Sequence, residues 1–541
     1  MKEAARLRPV GEGALTVELG EGIDPATSAR VRALDAALAR EPLAGVIETV
    51  PSFRSLLVVF DPARVSAAAV GEAALSRLSA PAPPLPAPAV HHVPVSYGGD
   101  DGPDLIEVAR RTGLDPSRVV ERHAGAEYTA LMLGFMPGFA YLGMLPEELH
   151  VPRRATPRTR VFAGAVAIAA GQTAVYPAAT PGGWHLIGRT SLRLFDPAGD
   201  PPALIRPGDR VRFGAVERDA LPEPAPLTAP ASPAGPAALE VLEAGLLTTV
   251  QDTGRAGWRR FGVGTAGAMD ERALVEANGL VGNPAGAAVL ECTAAGPTLR
   301  FLAAAHVAVT GADLGAVLRR ADLGDWRVPL AVRVRVRAGN VLAFSGPRHG
   351  CRAYVAIAGG FDVPEVLGAR STDLAGAFGG FEGRALRAGD ALRAGAAATS
   401  AFAHAHGDAR PETGGVTTLR VVPGPQDDLF TVGALRVLFS AEYQVRPGSD
   451  RVGCRLEGPA LAHAGPSEIA SDGMLPGCIQ VPPDGQPIVM GADSPTTGGY
   501  PKIATVIGAD RTLVAQLVPG RSRVRFERVT VEAALLAMMA G

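Results

Sequence analysis

Lysine is almost absent from this chain. Among 52 cationic side chains in 541 residues, the lysines are only Lys2 and Lys502, and the rest are arginine. Beside so much alanine, this bias reflects base composition, so an internal lysine stands out. A charge excess is also lacking: 52 Lys+Arg stand against 54 Asp+Glu, a net charge of −2. That argues against nucleic acid or an anionic membrane as a partner. Aromatic residues are 5%, and no basic cluster is interleaved with them. The cysteines Cys292, Cys351, Cys454 and Cys478 lie far apart and form no CxxC, so neither a zinc knuckle nor a redox pair is encoded. The most apolar run, residues 129–145, contains Pro137 and several glycines and is too short to span a bilayer. The opening MKEAARLRPV turns polar at once and lacks a signal-peptide core, which reads as a cytoplasmic protein.

Several catalytic signatures are missing too. There is no GK dipeptide and hence no Walker phosphate cradle, no GxSxG elbow, no HExxH, no serine-rich amidase loop and no biotin attachment site. His404 and His406 sit in a linker-like stretch and read as solvated. Gly262, Gly264 and Gly267 spell GxGxxG, but Arg255–Phe261 before them is no apolar strand. A glycine-rich loop is therefore expected there rather than a dinucleotide site.

What remains is 47% apolar and 20% charged, the composition of a packed globule of about three or four domains. Proline-rich stretches at 81–88 and 222–236 and a weaker break at 395–414 divide the chain. Residues 1–80 read β-β-α-β-β-α, a small α+β unit, with helical spacing at Val31, Leu34 and Leu38. The remainder is mainly β, with helices expected at 103–111, 116–123 and 270–281. The expected units are 1–80, a barrel over 89–218, a Pro/Ala-rich linker over 219–237, a first β-barrel of the second half over 238–395, and a second barrel over 415–541.

An internal repeat supports repeated barrels. GQTAVYPAATPGGWHLIG at 171–188 parallels GQPIVMGADSPTTGGY at 485–500, and RPGDRVRF at 206–213 parallels VPGRSRVRF at 518–526. A fainter copy ends at RAGNVLAF, 337–344.

The segment Asp493–Lys502 is dense in useful groups. Gly498 and Gly499 allow close backbone approach, Thr496 and Thr497 carry hydroxyls, and Tyr500 carries a phenol. Lys502 could meet a carboxylate or oxyanion, and Asp493 could relay a proton or cap a turn. In the first copy, Gln172, Trp184, His185 and Arg189 could hold a small anion, or could be a buried tryptophan and a surface arginine. Gly134–Gly143 reads as a core-lining loop or pocket wall, with Arg153 and Arg154 as rim cations. Gln251, Asp252 and Arg255 read as a polar network at a site or an interface.

These strings resemble a known family. GFMPGFAYLGMLP, GQTAVYPAATPGGWHLIGRT and PSFRSLLVVFDP resemble allophanate hydrolase subunit 1, or Kip inhibitor. TTVQDTGRAGW, GAMD, ANGLVGNP, AGGFDVPEVLGARST, RLEGP and IQVPPDGQPIVMGADSPTTGGYPKIATVIG resemble subunit 2, or Kip antagonist. The linker then reads as a fusion joint. Ser494-Pro495 and Cys454 depart from the family pattern. The resemblance implies repeated cyclophilin-like β-barrels and the B and C subunits of ATP-dependent 5-oxoprolinase, which opens 5-oxoproline to glutamate with a separate A subunit. It implies ATP with Mg²⁺, its site on this chain or on that partner, and a homo-oligomer is allowed. On this basis Lys502, Asp493 and Gln486 are expected as catalytic groups. Gly498, Gly499, Tyr500, Thr497, Arg451, Gln172, Trp184, His185, Arg189, Gln251 and Arg255 are expected as substrate-binding groups. The alternatives are a carboxyltransferase-like protein related to urea carboxylase, which would act with biotin on another chain, and a regulator that binds a histidine kinase.

Overall fold

Local signals build the N-terminal unit. Its strands are β1 (Arg6–Pro9), β2 (Ala14–Glu18), β3 (Val46–Pro51) and β4 (Ser55–Phe60), in sheet order β1-β2-β4-β3, with helices α1 (Pro25–Arg40) and α2 (Ala67–Ser79). The computed structural model describes residues 5–82, 84–223, 234–397 and 415–540. Asp24 caps α1 by accepting the Thr27 amide at 2.7 Å, and Ser66 caps α2. The expected Val31, Leu34 and Leu38 face the sheet, where they meet Leu56, Val58 and Phe60. Leu57, on the opposite face of β4, packs with Val10, Ala14 and Val50 against Met474, Cys478 and Met490. The sheet is thus buried on both faces, which explains why Ser55–Phe60 reads as a nearly continuous apolar run.

The next unit is a closed barrel. Its strands are β5 (Val90–Tyr97), β6 (Glu127–Leu133), β7 (Ala140–Gly143), β9 (Ala165–Ala169), β10 (Gln172–Val175), β12 (His185–Arg189) and β13 (Arg210–Ala215). A two-stranded flap pairs β8 (Arg158–Val161) with β11 (Thr180–Gly182). The order around the barrel is β10-β7-β6-β13-β5-β12-β9, and only β5 and β13 run parallel. Helices α3 (Leu105–Thr112) and α4 (Pro116–Ala124) share its core through Leu105, Val108 and Val119.

Residues 238–395, expected as a barrel, are instead two open sheets. The strands are β14 (Leu239–Glu243), β15 (Leu247–Gln251), β16 (Val289–Thr293), β17 (Thr298–Phe301), β18 (Ala305–Asp313), β19 (Ala316–Arg320), β20 (Gly324–Arg327), β21 (Arg333–Val336), β22 (Val341–Phe344), β23 (His349–Ile357) and β24 (Ala391–Leu392). They form one sheet ordered β20-β19-β22-β17-β14-β24 and another ordered β15-β16-β23-β18-β21. A single core that includes Leu299, Phe301 and Leu342 of one sheet and Leu290, Val309 and Val355 of the other lies between them. Inward alternation looks the same in a sandwich and a barrel; only the pairing of edge strands separates them. RAGNVLAF ends in β22, inside the first of these sheets, so it is no third copy of the barrel unit. Helix α5 (Glu271–Val281) covers the outer face of β18 and β23 through Leu274 and Ala277.

The last unit is a second closed barrel of the same topology. It comprises β25 (Val416–Pro423), β26 (Tyr443–Val445), β27 (Gly453–Glu457), β29 (Cys478–Gln480), β30 (Ile488–Met490), β32 (Lys502–Val506) and β33 (Arg523–Arg528). Its flap pairs β28 (Asp472–Gly473) with β31 (Thr497–Gly498). The order β25-β32-β29-β30-β27-β26-β33 corresponds strand for strand to the first barrel, and β25 and β33 are again the parallel pair. Gly171-Gln172 and Gly485-Gln486 occupy corresponding hairpins, and the double glycines each begin on the last residue of corresponding flap strands. Helices α6 (Val432–Ser440), α7 (Arg511–Ala515) and α8 (Val531–Ala540) complete the unit. Most of the 219–237 stretch, the 395–414 break and both His404 and His406 lie outside the described residues. The four cysteines are free and buried.

Candidate functional site between the two halves

Alternation along β9 sends Val166 and Ile168 into the main core of the first barrel and leaves Ala165, Ala167 and Ala169 on the opposite face. These small residues make room for rings. Phe139 stacks edgewise on Tyr141 at 4.9 Å and on Tyr176 at 5.2 Å, and Tyr141 meets Trp184 at 6.0 Å. The N-terminal unit adds Phe53, 5.5 Å from Tyr141. The second barrel closes this wall with Ala470, Ser471 and Thr497. Burial raises the Tyr141 phenol above its ordinary range, opposed by Arg153 and by the neighbouring hydroxyls of Ser471 and Thr497. Thr497 lies so close to Gly134 that a Cβ there would sit 2.0 Å from its hydroxyl. The expected pocket wall, 134–143, is therefore the surface through which the halves meet.

Behind Thr497 and Gly498 lies a sealed ion pair. Lys502 is 0% exposed, and its Nζ is 3.2 Å from Asp472 Oδ2. Asp472 also accepts from Gln426 Nε2 at 3.1 Å, from its neighbour Gly473 N at 2.9 Å and, closely, from Ser55 Oγ of the N-terminal unit. Burial alone would raise the Asp472 pKa, but Lys502, Ser55 and Arg54 bring it below the usual range. A Cβ on Gly498 would meet Gln480 Nε2 at 2.2 Å, so any side chain there would have to displace the Gln480 amide.

A second polar centre starts four residues before Thr497. Arg451 holds Asp493 through two 2.8 Å bonds, Glu291 at 2.5 Å and the Gly267 carbonyl at 2.8 Å. Burial would lower the Arg451 pKa, but the two carboxylates raise it. Its donors are used by the protein, which makes it a strut between the sandwich and the second barrel rather than a ligand for substrate. Arg255 is different: Nη2 donates to the Ser371 carbonyl at 2.5 Å, while Nε and Nη1 have no protein acceptor. Asp373 lies nearby, its pKa pushed up to about 6 by burial and by Asp493, against the Gly376 amide and Arg255.

The remaining expected residues are scattered. Gln486 is not beside Lys502: its amide accepts from Gly458 N at 2.9 Å and donates to Gly458 O at 3.1 Å, closing a turn. Trp184, His185 and Arg189 form no single cluster. Trp184 belongs to the ring wall, and His185 Nε2 donates to the Pro152 carbonyl at 3.0 Å. Arg189 sits exposed at the far end of β12, over Phe162 at 5.3 Å. A bulge in β12 brings Arg189 opposite Ala165, on the same face as Trp184, but at about 3.3 Å per residue the two are set apart along the strand. Gln172 begins β10 with an unpaired Nε2, and Gln251 is tied to Thr249 and the Thr372 carbonyl. Tyr500 contributes its carbonyl to Gln480, and the Gly499 carbonyl accepts from Ile469 N at 2.9 Å. Sequence reasoning missed Asp373, Asp472, Glu291 and Ser55, whose local surroundings carry no signal; Ser471-Asp472-Gly473 reads only as a turn.

The glycine-rich loop is filled by protein. A Cβ at Gly262 would lie 2.3 Å from the Met136 carbonyl, so backbone occupies the space a pyrophosphate would need. A cavity of about 860 Å³ opens elsewhere, between β1, residues 422–427 and residues 528–533, and shares no residue with this junction.

Two barrels of one topology, joined by a ring wall, with two buried charge centres tying the second barrel to the N-terminal sheet and to the sandwich, define the cyclophilin-like class of paired barrel proteins. Residues 5–205 match the family model for carboxyltransferase domain, subdomain C and D, and residues 261–528 match subdomain A and B. The chain belongs to this carboxyltransferase-domain family. It joins homologues of two separate proteins: it is 46% identical over 213 residues to the B subunit of Escherichia coli 5-oxoprolinase, covering 96% of it. It is 41% identical over 300 residues to the C subunit from that species, covering 94%. The crystal structure of TTHA0988 superposes with a TM-score of 0.82 at 37% identity, covering 95% of this chain and 99% of that one. The Kluyveromyces lactis urea carboxylase structure matches 56% of this chain and 28% of its own length, at 32% identity and a TM-score of 0.51.

Proposed function

We propose that this chain is the substrate-handling component of an ATP-dependent 5-oxoprolinase and opens 5-oxoproline to L-glutamate with a separate A subunit. The observation that carries the reading is the shared wall. Tyr141 of the first, B-like half faces Ser471 and Thr497 of the second, C-like half, so neither half completes the site alone. Rings and hydroxyls suit a small, flat amide, and Arg153 adds a cation beside Tyr141. A five-membered lactam is unstrained and resonance-stabilised, so opening near neutral pH requires coupling to ATP. Phosphorylation of the amide oxygen followed by attack of water would supply that coupling. With backbone filling the glycine-rich loop, we assign the ATP and Mg²⁺ site to the A subunit. Lys502 and Asp472 act in this reading as positioning residues behind Thr497 and Gly498, and Asp493 and Arg451 fix the loop that carries them.

The test is reconstitution. The purified chain, the A subunit, ATP, Mg²⁺ and 5-oxoproline together should yield glutamate, and omission of any one should abolish it. No glutamate from a mixture in which the A subunit is folded and bound would overturn the reading. The similarity to urea carboxylase favours a second reading, transfer of a carboxyl group from biotin on another chain. Bicarbonate-dependent, avidin-sensitive turnover of an amide would support it.

A further inference from the structure

Arg255 is held by its backbone, which donates to the Thr265 carbonyl at 2.9 Å, and by the single Nη2 contact to Ser371. It is 2% exposed, yet Nε and Nη1 have no protein acceptor and it makes no ion pair among the described residues. A buried guanidinium with unused donors costs desolvation unless something accepts from them. Of the three nearby carboxylates, Asp373, Asp252 and Asp493, two are committed elsewhere. Asp493 is held by Arg451, and Asp252 accepts from Gly254 N, Arg370 N and Ser371 Oγ. Ser494, next to Asp493, is 2% exposed with a hydroxyl that also lacks a protein partner.

The residues enclosing the guanidinium come from both halves of the chain. Phe378 lies 4.9 Å from the Arg255 guanidinium and stacks on Phe195 of the first half at 5.6 Å. A Cβ at Gly379 would come within 2.8 Å of Arg255 Nη2, and one at Gly376 within 3.2 Å of Pro137. Asp373 lies near the guanidinium, and its Oδ1 accepts from the Gly376 amide at 2.8 Å.

We propose that Arg255 anchors a small carboxylate through its unused Nε and Nη1, with Asp373 as the neighbouring acid. A planar carboxylate matches the forked donors of a guanidinium, and the ring of Phe378 holds the fork in plane. The identity of the acid, the carboxylate of 5-oxoproline, rests on the function proposed above; the anchoring itself does not. The groups that face Asp373 are Asp493, Arg255 and the amides of Ala375 and Gly376. Its pKa of about 6 makes it neutral in mild acid, where repulsion of a bound anion vanishes and its hydroxyl can donate to the ligand. Binding therefore strengthens as pH falls through about 6.

Calorimetry on the full chain tests this with 5-oxo-L-proline, acetate and pyrrolidin-2-one, the lactam that has no carboxylate. Both acids should bind, with 5-oxoproline the tighter, and pyrrolidin-2-one should not. Arg255→Gln should weaken the acids about 10- to 100-fold, the loss expected for hydrogen bonds to a charged group. Arg255→Lys should recover only part, because an ammonium lacks the fork. Asp373→Asn, an isostere that keeps the Gly376 contact, should bind equally at about pH 5 and about pH 8, whereas the native chain binds several-fold tighter at the lower pH. Unchanged acid binding in folded Arg255→Gln, or equal binding of pyrrolidin-2-one, overturns the proposal. Acid binding that needs Arg255, in a chain that yields no glutamate with the A subunit, leaves the anchor standing and removes the oxoprolinase reading. Turnover indifferent to Arg255→Gln does the reverse.

Discussion

Several buried charges of this protein are marked by no local pattern in its sequence. Asp373 is an example at the scale of one residue. Its folded pKa of about 6 lies above the ordinary value of 3.8, so its stabilising contribution is complete below about pH 4 and lost as pH rises through 6. A shift of roughly two pKa units corresponds to about 3 kcal/mol. Asp373→Asn should therefore raise stability in urea unfolding by up to about 3 kcal/mol at pH 8 and by little at about pH 4; equal gains at both would refute the assignment. The Lys502–Asp472 pair has the opposite logic. Lys502→Met leaves a buried carboxylate without its cation and should cost about 3–5 kcal/mol. Adding Asp472→Asn should recover most of that, since asparagine can still accept from Ser55 and Gly473. A double variant no more stable than the single one would show that the pair is not what holds the flap.

Among the elements, the turn between β6 and β7 shows how packing imposes a sequence. Gly134 exists because Thr497 occupies the place of its side chain, and Gly262 because the Met136 carbonyl occupies its own. Gly134→Ala should push the second barrel's flap away from Tyr141. We expect a loss of tyrosine and tryptophan burial, read as a red-shifted Trp184 emission, and reduced glutamate formation. An unshifted spectrum with full turnover would count against the shared wall. The helices expected at 103–111, 116–123 and 270–281 appear as α3, α4 and α5, because spacing, proline starts and glycine stops are local signals. The sandwich over 238–395 was not legible, because which strands pair at an edge depends on residues far away in the chain.

On the scale of the whole molecule, the N-terminal unit belongs physically to the second barrel as much as to the first. Glu48 accepts from Arg259 Nε at 2.9 Å and from two backbone amides, and Arg259 reaches the Met474 carbonyl. Arg8 pairs with Asp428 at 2.8 Å, and Glu12 accepts from the Gly508 amide at 2.5 Å. Residues 1–223 and 234–541 expressed as separate chains should therefore co-purify as a one-to-one complex and reproduce turnover. Glu48→Ala should break that complex, because it leaves Arg259 buried without its partner. Independent migration of the unmutated halves in gel filtration would contradict this.

The order of amino acids by itself determined the duplicated barrel unit, the N-terminal α+β unit and the family. Each of these rests on short-range periodicity, turn chemistry or strings long enough to be specific. Only the tertiary structure decided that Arg451 is a strut, that Gln486 closes a turn, that Arg189 stands at the far end of β12 from Trp184, and that Asp373 and Asp472 are buried among charged partners. Charges acquire a role from desolvation and from the partners that enclose them, and those partners come from units hundreds of residues apart. Ser55 meets Asp472, and Glu291 meets Arg451, only once the barrels, sheet and sandwich have packed.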